Sequence, residues 1–393
     1  MEKNNKNAAR VAIVIPVYND EQHLVNCIES ILQQTAGYWE AVFVDDASTD
    51  NSVQIIERYE RAEPKIRLFK NSANSSAWVA RAKGILNISD SVQYILFADA
   101  DDTLQPDMVE SAYKAMLERP VDILHFGTNV ICNGRADKKA IEKYSQYLQP
   151  PVAFLSGRKI FDSFVERSFE GHLWNKMFDA HLLQDTVNRI GPDRVLPKAQ
   201  DKALYWAVCW SKPDLTYRGI ATRLYNYNYG AGVEGNDSQL ALADYKQYLC
   251  QAWTENVIAE IMRAHPEAAE YGAVLEKSRY NLLRHSIRNL MRLPFHDRSA
   301  GLDMALSYWN DAMDPARIAC ALAEFTWGNR MDAAEMVKGS SLNRITAPDA
   351  GIKTVGTYYH RMDNGGIQRV IVNVVEMWRR LGYNVVLFTD CDP

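Results

Sequence analysis

Two short apolar runs in this chain are each followed at once by a knot of carboxylates. Ala41-Val42-Phe43-Val44 leads into Asp45-Asp46-Ala47-Ser48-Thr49-Asp50. Tyr94-Ile95-Leu96-Phe97 leads through Ala98 into Asp99-Ala100-Asp101-Asp102. Apolar runs of this length, bounded by polar residues, read as buried strands. In an open α/β sheet, ligands bind beyond the carboxyl ends of the strands. Two acidic clusters therefore point at one crevice. Crowded carboxylates repel one another, so such a crevice holds a cation or hydrogen-bond donors. A divalent metal bridging to a diphosphate fits best.

The surrounding pattern supplies the sheet. Val11–Ile15 is a strand candidate, stopped by Pro16. From Glu21 to Gln34, Leu24, Val25, Ile28, Ile31 and Leu32 share one helical face. A helix over Ser52–Arg61 follows, with Asp50 or Asn51 available as its cap. Ile66–Phe69 reads as a strand, Ala77–Leu86 as a helix, Tyr94–Phe97 as a strand, and a further helix begins after Pro106. This β-α-β-α-β rhythm predicts an α/β fold, a mostly parallel central sheet covered by helices on both faces. Asp122–Phe126 looks like another strand, and Tyr225–Tyr229 alternates as a half-exposed strand does. Gly230–Gly235 reads as a linker.

Beyond it the character changes. Leu249, Trp253, Val257, Ile258 and Ile261, then Leu282, Leu283, Ile287, Leu290 and Met291, recur at helical spacing and predict a bundle or arm. From Ile352 it changes again: strand Thr354–Tyr358, helix Ile367–Arg380, strand Val385–Phe388. One such unit cannot close a core alone. The expected division is residues 10–235, a helical domain or linker over 236–350, and the start of another domain over 351–393.

Composition narrows the function. Of 393 residues, 47% are hydrophobic, which suits globular cores. The net charge of −5 and the lack of a long basic run exclude a nucleic-acid partner. No two of the six cysteines form a C-x-x-C pair, so zinc and redox motifs are unsupported. The first ten residues lack an apolar signal core, and no stretch is apolar for long enough to span a bilayer. These features point to a cytoplasmic protein, with peripheral attachment at the inner membrane face left open.

Pro16-Val17-Tyr18-Asn19, the Val44–Asp50 segment and Asp99-Ala100-Asp101-Asp102 resemble, in order and spacing, the successive motifs of family 2 glycosyltransferases, which have a GT-A fold. The resemblance covers roughly residues 10–230. It implies an inverting, non-processive enzyme that uses Mn²⁺ or Mg²⁺ and moves a sugar from a nucleotide-diphosphate donor, a UDP-sugar first, to a hydroxyl of a glycan, lipid-linked glycan or protein acceptor. By this resemblance Pro16 and Tyr18 pack the base and ribose, and Asp46 accepts from the base; the plainer reading for Asp45 is that it orders its loop. Asp99 meets the ribose, and Asp101 the metal, with Asp102 as the near alternative. Arg81 falls where relatives contact the nucleotide, although their Arg-Asn pair reads Arg81-Ala82 here. The catalytic base of the family lies in an E-D pair; here Gln200-Asp201 stands in that place, which makes Asp201 the base. Trp174-Asn175-Lys176 resembles a W-N-K segment whose Asn175 and Lys176 face the donor phosphates or sugar.

Each residue has a plainer alternative. Asp99–Asp102 and Asp201 also suit helix or turn caps, Tyr18 and Trp174 suit core packing, and Arg81 suits an exposed helical surface. Absences help: there is no Q-x-x-R-W as in processive synthases, and no G-x-G-x-x-G after the first strand as in a dinucleotide-binding fold. The remaining functional alternative is a non-catalytic, nucleotide-sugar-binding subunit of a glycan-assembly complex. Asn364-Gly365-Gly366-Ile367-Gln368-Arg369 with Gly382–Phe388 resembles the start of a family 4 glycosyltransferase of GT-B fold, which implies the opening of a second enzyme.

Overall fold

Val11 to Val17 is buried at every position except the half-buried Pro16. A strand buried on both faces belongs in the middle of a helix-covered parallel sheet, and that is where the chain puts it. The computed structural model describes residues 8–132, 138–166, 171–229, 240–309, 321, 354–359 and 384–389. In chain order the first part runs β1 (Val11–Val17), α1 (Leu24–Leu32), β2 (Trp39–Asp45), α2 (Ser52–Ala62), β3 (Ile66–Lys70), α3 (Ala77–Leu86), β4 (Tyr94–Phe97), β5 (Thr103–Leu104), α4 (Met108–Glu118), β6 (Ile123–Cys132), α5 (Lys138–Tyr147), β7 (Phe154–Ser156), α6 (Arg158–Val165), β8 (Lys176–Asp179), α7 (Ala180–Ile190), α8 (Gln200–Cys209) and β9 (Thr216–Tyr229).

These strands form one sheet in the order β3-β2-β1-β4-β8-β6-β9-β5, with β7 on β9. Strands β3, β2, β1 and β4 are parallel. Strand β8 runs antiparallel to both β4 and β6, and β9 runs parallel to β6. Hence β1, β2, β4, β6 and β9 all end at the same edge. The chain steps from β1 outward to β3, then returns to place β4 on the other side of β1. That reversal is where open α/β sheets leave a crevice.

Pro16 does not stop β1, contrary to the sequence expectation. It pairs in register with Val44, whereas β4 pairs only as far as Val14. On the β4 side there is no ladder left to interrupt, so the missing N–H is tolerated. Strand β6 also runs well past the expected Phe126. Its extension is supported by β9, with register shifts at Phe126/Gly127 and Gly127/Thr128; such irregularities bend a strand and increase its twist.

Helix α3 lies close on the sheet. An added Cβ at Gly84 would meet Val14 Cγ1 at 2.5 Å, and Trp78 is fully buried on the same helix. Glycine is disfavoured inside helices, so its presence here reflects this close approach.

The chain divides into two compact units, Met1–Asn236 with Glu260–His265, and Asp237–Ala259 with Pro266–Pro393. The second contains α9 (Leu242–Tyr245), α10 (Gln251–Arg263) as far as Ala259, α11 (Gly272–Leu290) and α12 (Arg298–Trp309). Its own core gathers Tyr245, Leu249, Leu283, Ile287, Leu290, Leu302 and Trp309, the helical packing the periodicity predicts. Two buried polar groups there share Ser286: Trp309 Nε1 donates to Ser286 Oγ at 3.2 Å and Tyr245 Oη donates to Ser286 O at 3.1 Å. Further on, β10 (Thr354–Tyr359) and β11 (Asn384–Thr389) pair in parallel. The Gly230–Gly235 linker, the Asn364–Gly366 loop and the Ile367–Arg380 helix lie outside the described residues.

Gly84→Ala should destabilise the first unit by about 1–3 kcal/mol through overpacking against β1. Chemical denaturation would show this as a lower midpoint with an unchanged slope.

Candidate active site

The loops after β1 and β2 are tied together where they leave the sheet. Asn19 N donates to Ser48 Oγ at 2.9 Å, and Thr49 N donates to Asn19 Oδ1 at 2.7 Å. Asp20 N donates to Ser52 Oγ at 3.0 Å, and Glu21 N donates to Asp50 Oδ2 at 3.0 Å. Asp45 accepts from Ala47 N at 3.1 Å and from Ser48 N at 3.2 Å, the loop-ordering part expected of it.

Asp46 shares that part. It is buried, and it accepts from Asn71 Nδ2 at 2.8 Å, Ser75 N at 3.0 Å and Ser76 N at 2.8 Å. It therefore fixes the segment leading into α3. Pro16 is half-buried, and Tyr18, at 47% exposure, is an accessible ring at the end of β1 rather than a core one.

Helix α3 turns Arg81 inward, where it is buried rather than on the helix surface, and its guanidinium forms an ion pair with Asp99 Oδ1 at 2.5 Å. Its Nε is buried without a hydrogen-bond partner. Asp99 is part-exposed at the mouth of the crevice.

Asp101 and Asp102 differ. Asp102 is almost completely buried; it accepts from Tyr225 Oη at 2.8 Å and from Asn228 N at 2.6 Å. Both its oxygens thus anchor β9. Asp101 is part-exposed, and among the described residues no Lys or Arg forms an ion pair with it. Burial, then the charges of Asp99 and Asp20, raise the Asp101 carboxyl to about 6. Burial and Asp99 raise Asp102 to about 8.

Among the described residues, no group of three or more His, Cys, Asp or Glu is arranged to hold a metal. Mg²⁺ is usually held through one or two carboxylates together with substrate phosphates. A part-exposed carboxylate pressed by like charges, as Asp101 is, fits that mode. Asp20 and His23, which the sequence reading missed, belong to the same field. Burial raises the Asp20 carboxyl, His23 lowers it, and Asp99 and Asp50 raise it further. Their signal was position: both lie within six residues of the end of β1, opposite β4.

Asp201 sits in the first turn of α8, half-buried, and its Oδ1 accepts from Lys202 N at 2.9 Å. It is not the N-cap; that is Ala199, in a left-handed conformation. The loop before α8 is tied to the start of α3 by Leu196 N donating to Ser76 Oγ at 3.2 Å and by Trp78 Nε1 donating to Gly191 O at 3.0 Å. Asn19, Ala47, Ser76 and Ala199 all have positive φ without being glycine. Such strain gathers where the surrounding structure holds a site in place, and here it marks the loops carrying Tyr18, Asp46 and Asp201.

Asn175 and Lys176 lie beneath the edge instead of facing it. Both are buried; Lys176 Nζ donates to His172 O at 2.6 Å and to Asn175 Oδ1 at 2.7 Å. Asn175 Nδ2 lies 3.0 Å from His125 Nε2, and His125 Nδ1 lies 2.8 Å from Tyr217 Oη. The Lys176 charge is committed to this network, so direct contact with donor phosphates is replaced by support of the segment above. Burial, followed by Lys176 and His172, holds the His125 ring well below its ordinary pKa. Trp174 packs, as the plainer alternative had it, in parallel on Tyr225 and Tyr227.

Residues 12–183 match the family described as Glycosyl transferase family 2. That stretch, which carries the sheet edge described above, is similar to a family 2 glycosyltransferase domain. The chain is 36% identical over 114 residues to glycosyltransferase GlyA of Streptococcus pneumoniae, which is 29% of this chain and 16% of that protein. It is 29% identical over 166 residues to poly(ribitol-phosphate) beta-glucosyltransferase of Bacillus spizizenii, which is 42% of this chain and 25% of that one. The chain thus spans a quarter or less of the length of these two relatives. A structure of S. aureus TarS 1–349 in complex with UDP superposes with a TM-score of 0.45 at 18% identity, over 81% of this chain and 92% of that one. The α/β architecture that the family implies is present in the sheet described above. The expected base, Asp201, lies beyond the matched residues. No helix among the described residues is long and apolar enough to cross a membrane.

The raised carboxyls have a consequence for stability. The ordinary Asp value is 3.8, so between there and about 8 the unfolded chain releases a proton that folded Asp102 retains. Stability from this group is full at low pH and is lost as the pH rises through that window. In metal-free buffer, Asp102→Asn should therefore gain melting temperature relative to the parent between about pH 5 and about pH 8. A difference between the two melting curves that stays constant with pH would contradict the assignment.

Proposed function

We propose that this chain is an inverting, non-processive, metal-dependent glycosyltransferase. It moves a sugar from a nucleotide-diphosphate donor, a UDP-sugar first, to a hydroxyl of a glycan, lipid-linked glycan or protein acceptor. The observation that carries this reading is the convergence of Asp20, Asp46 and Asp99–Asp102 on one sheet edge, at the reversal between β1 and β4, inside the stretch that matches family 2. The name of one relative, poly(ribitol-phosphate) beta-glucosyltransferase, supports a polymer as the acceptor class.

In this reading Pro16 and Tyr18 pack the base and ribose. Asp46 meets the base edge while its other hydrogen bonds keep the pocket wall fixed. Asp99 accepts from the ribose, and Arg81 neutralises Asp99 and faces the diphosphate. Asp101 holds Mn²⁺ or Mg²⁺; Asp102, committed to Tyr225 and Asn228, keeps Asp101 in place. Asn175 and Lys176 act from below by fixing the His172 carbonyl. When bound, the metal supplies Lewis-acid stabilisation of the charge that develops on the diphosphate.

The chemistry left to the chain is one displacement. The acceptor hydroxyl oxygen forms a bond to the anomeric carbon as the carbon–oxygen bond to the diphosphate breaks. The bonding pair leaves with the diphosphate, and Asp201 takes the hydroxyl proton as general base. Attack opposite the leaving group inverts the anomeric centre.

Asp101→Asn keeps the shape and removes the charge. It should lower Mn²⁺-dependent turnover by orders of magnitude with an unchanged circular dichroism spectrum; near-normal turnover would remove Asp101 from the metal. Asp201→Ala should slow transfer by about 10²–10⁴-fold at saturating donor and acceptor, with donor affinity kept. Undiminished transfer would exclude it as the base.

A further inference from the structure

We propose that Tyr229, Tyr227 and Tyr144 form a stacking platform for a pyranose ring of the acceptor, at the carboxyl edge beside the Asp99–Asp102 loop. Calling the ligand an acceptor rests on the function proposed above; that a saccharide binds there rests on the platform itself.

Topology brings the rings to this edge. Strands β6 and β9 run in the same direction as β4, so β9 emerges beside the acidic loop. Asn228 fastens it there: its N donates to Asp102 Oδ1 at 2.6 Å and its Nδ2 donates to Asp101 O at 2.6 Å. Tyr227 and Tyr229 flank that residue.

Strand alternation puts Tyr225, Tyr227 and Tyr229 on one face. Trp174 lies parallel to Tyr225 at 4.9 Å between centroids and 18°, and to Tyr227 at 5.3 Å and 9°. His172 stacks on Trp174 at 4.9 Å and 21°. Tyr144, from α5, meets Tyr227 at 5.9 Å and Tyr229 at 5.8 Å, inclined to each by about 60°.

Burial falls along the row. Tyr225 is fully buried and its hydroxyl is used by Asp102; Tyr227 and Tyr144 are half-buried; Tyr229 is 41% exposed. Core packing accounts for Tyr225. It does not account for an exposed, ordered ring at the end of a strand anchored to the acidic loop. Tyrosine suits a surface that is apolar on the ring and wet at the hydroxyl. A pyranose offers the matching halves: a face of C–H groups to stack and a rim of hydroxyls to exchange hydrogen bonds. The platform thus favours a saccharide presented to the reacting centre by its ring face.

The test uses saturation-transfer NMR on the full chain, with cellotriose and chitotriose as probes. Signal should reach the ring C–H protons of at least one trisaccharide. Tyr229→Ala should weaken its binding at least tenfold, and Tyr229→Phe should stay within about threefold of the parent, since the ring and not the hydroxyl does the stacking. If the alanine variant melts markedly lower, Tyr229→Leu, which keeps bulk without a ring, gives the same reading. Binding of neither trisaccharide by the parent, or equal binding by parent, alanine and leucine variants, overturns the platform. Calorimetry of UDP with Mn²⁺ on the parent chain separates the two proposals. Saccharide binding without UDP binding removes the donor reading and leaves the platform; UDP binding without saccharide binding does the reverse.

Discussion

Asp102 is a buried carboxylate beside two others, and β9 hangs on it. Burying a polar group is costly unless it is hydrogen-bonded, and here the carboxyl accepts from Tyr225 and from the backbone of Asn228. That anchorage serves two ends. It holds the Asp99–Asp101 segment still, so that Asp99 can reach Arg81 while Asp101 stays part-exposed. It also draws the far side of the sheet, β6 and β9, up to the loop of a central strand. Without it, the acidic turn and the aromatic row would be separate features of separate strands.

The other loops at this edge obey the same economy. Each carboxylate after β2 is used to organise backbone N–H groups, and the strained residues Asn19, Ala47 and Ser76 sit among those hydrogen bonds. Asp101 departs from this pattern, being both part-exposed and raised to about 6. A bound cation would stabilise a carboxylate in that condition, which is why the proposed metal falls to it rather than to Asp102.

Much of this was legible in the sequence where the signal is local. Tyr94–Phe97 and Ala77–Leu86 were bounded by their own composition, and Tyr225–Tyr229 was legible as a strand, although its burial falls along the strand instead of alternating. What failed depended on a partner far along the chain. Pro16 reads as a stop unless one knows that β4 has already left its side. The length of β6 depends on β9, some ninety residues later. Lys176 looks like a phosphate ligand in a W-N-K segment, until a buried network with His125 and His172 claims its charge. Asp102 looked interchangeable with Asp101, because only tertiary structure shows which of two adjacent carboxylates points inward.

The central claim is that the edge between β1 and β4 binds a nucleotide-diphosphate sugar through a divalent metal. Hydrolysis of UDP-, GDP- and dTDP-sugars by the full chain, with Mn²⁺ and again with EDTA, tests it most directly. At least one donor, a UDP-sugar first, should be consumed with Mn²⁺ and spared under chelation. Consumption at the same rate in EDTA, or no consumption of any donor by the folded protein, would contradict it.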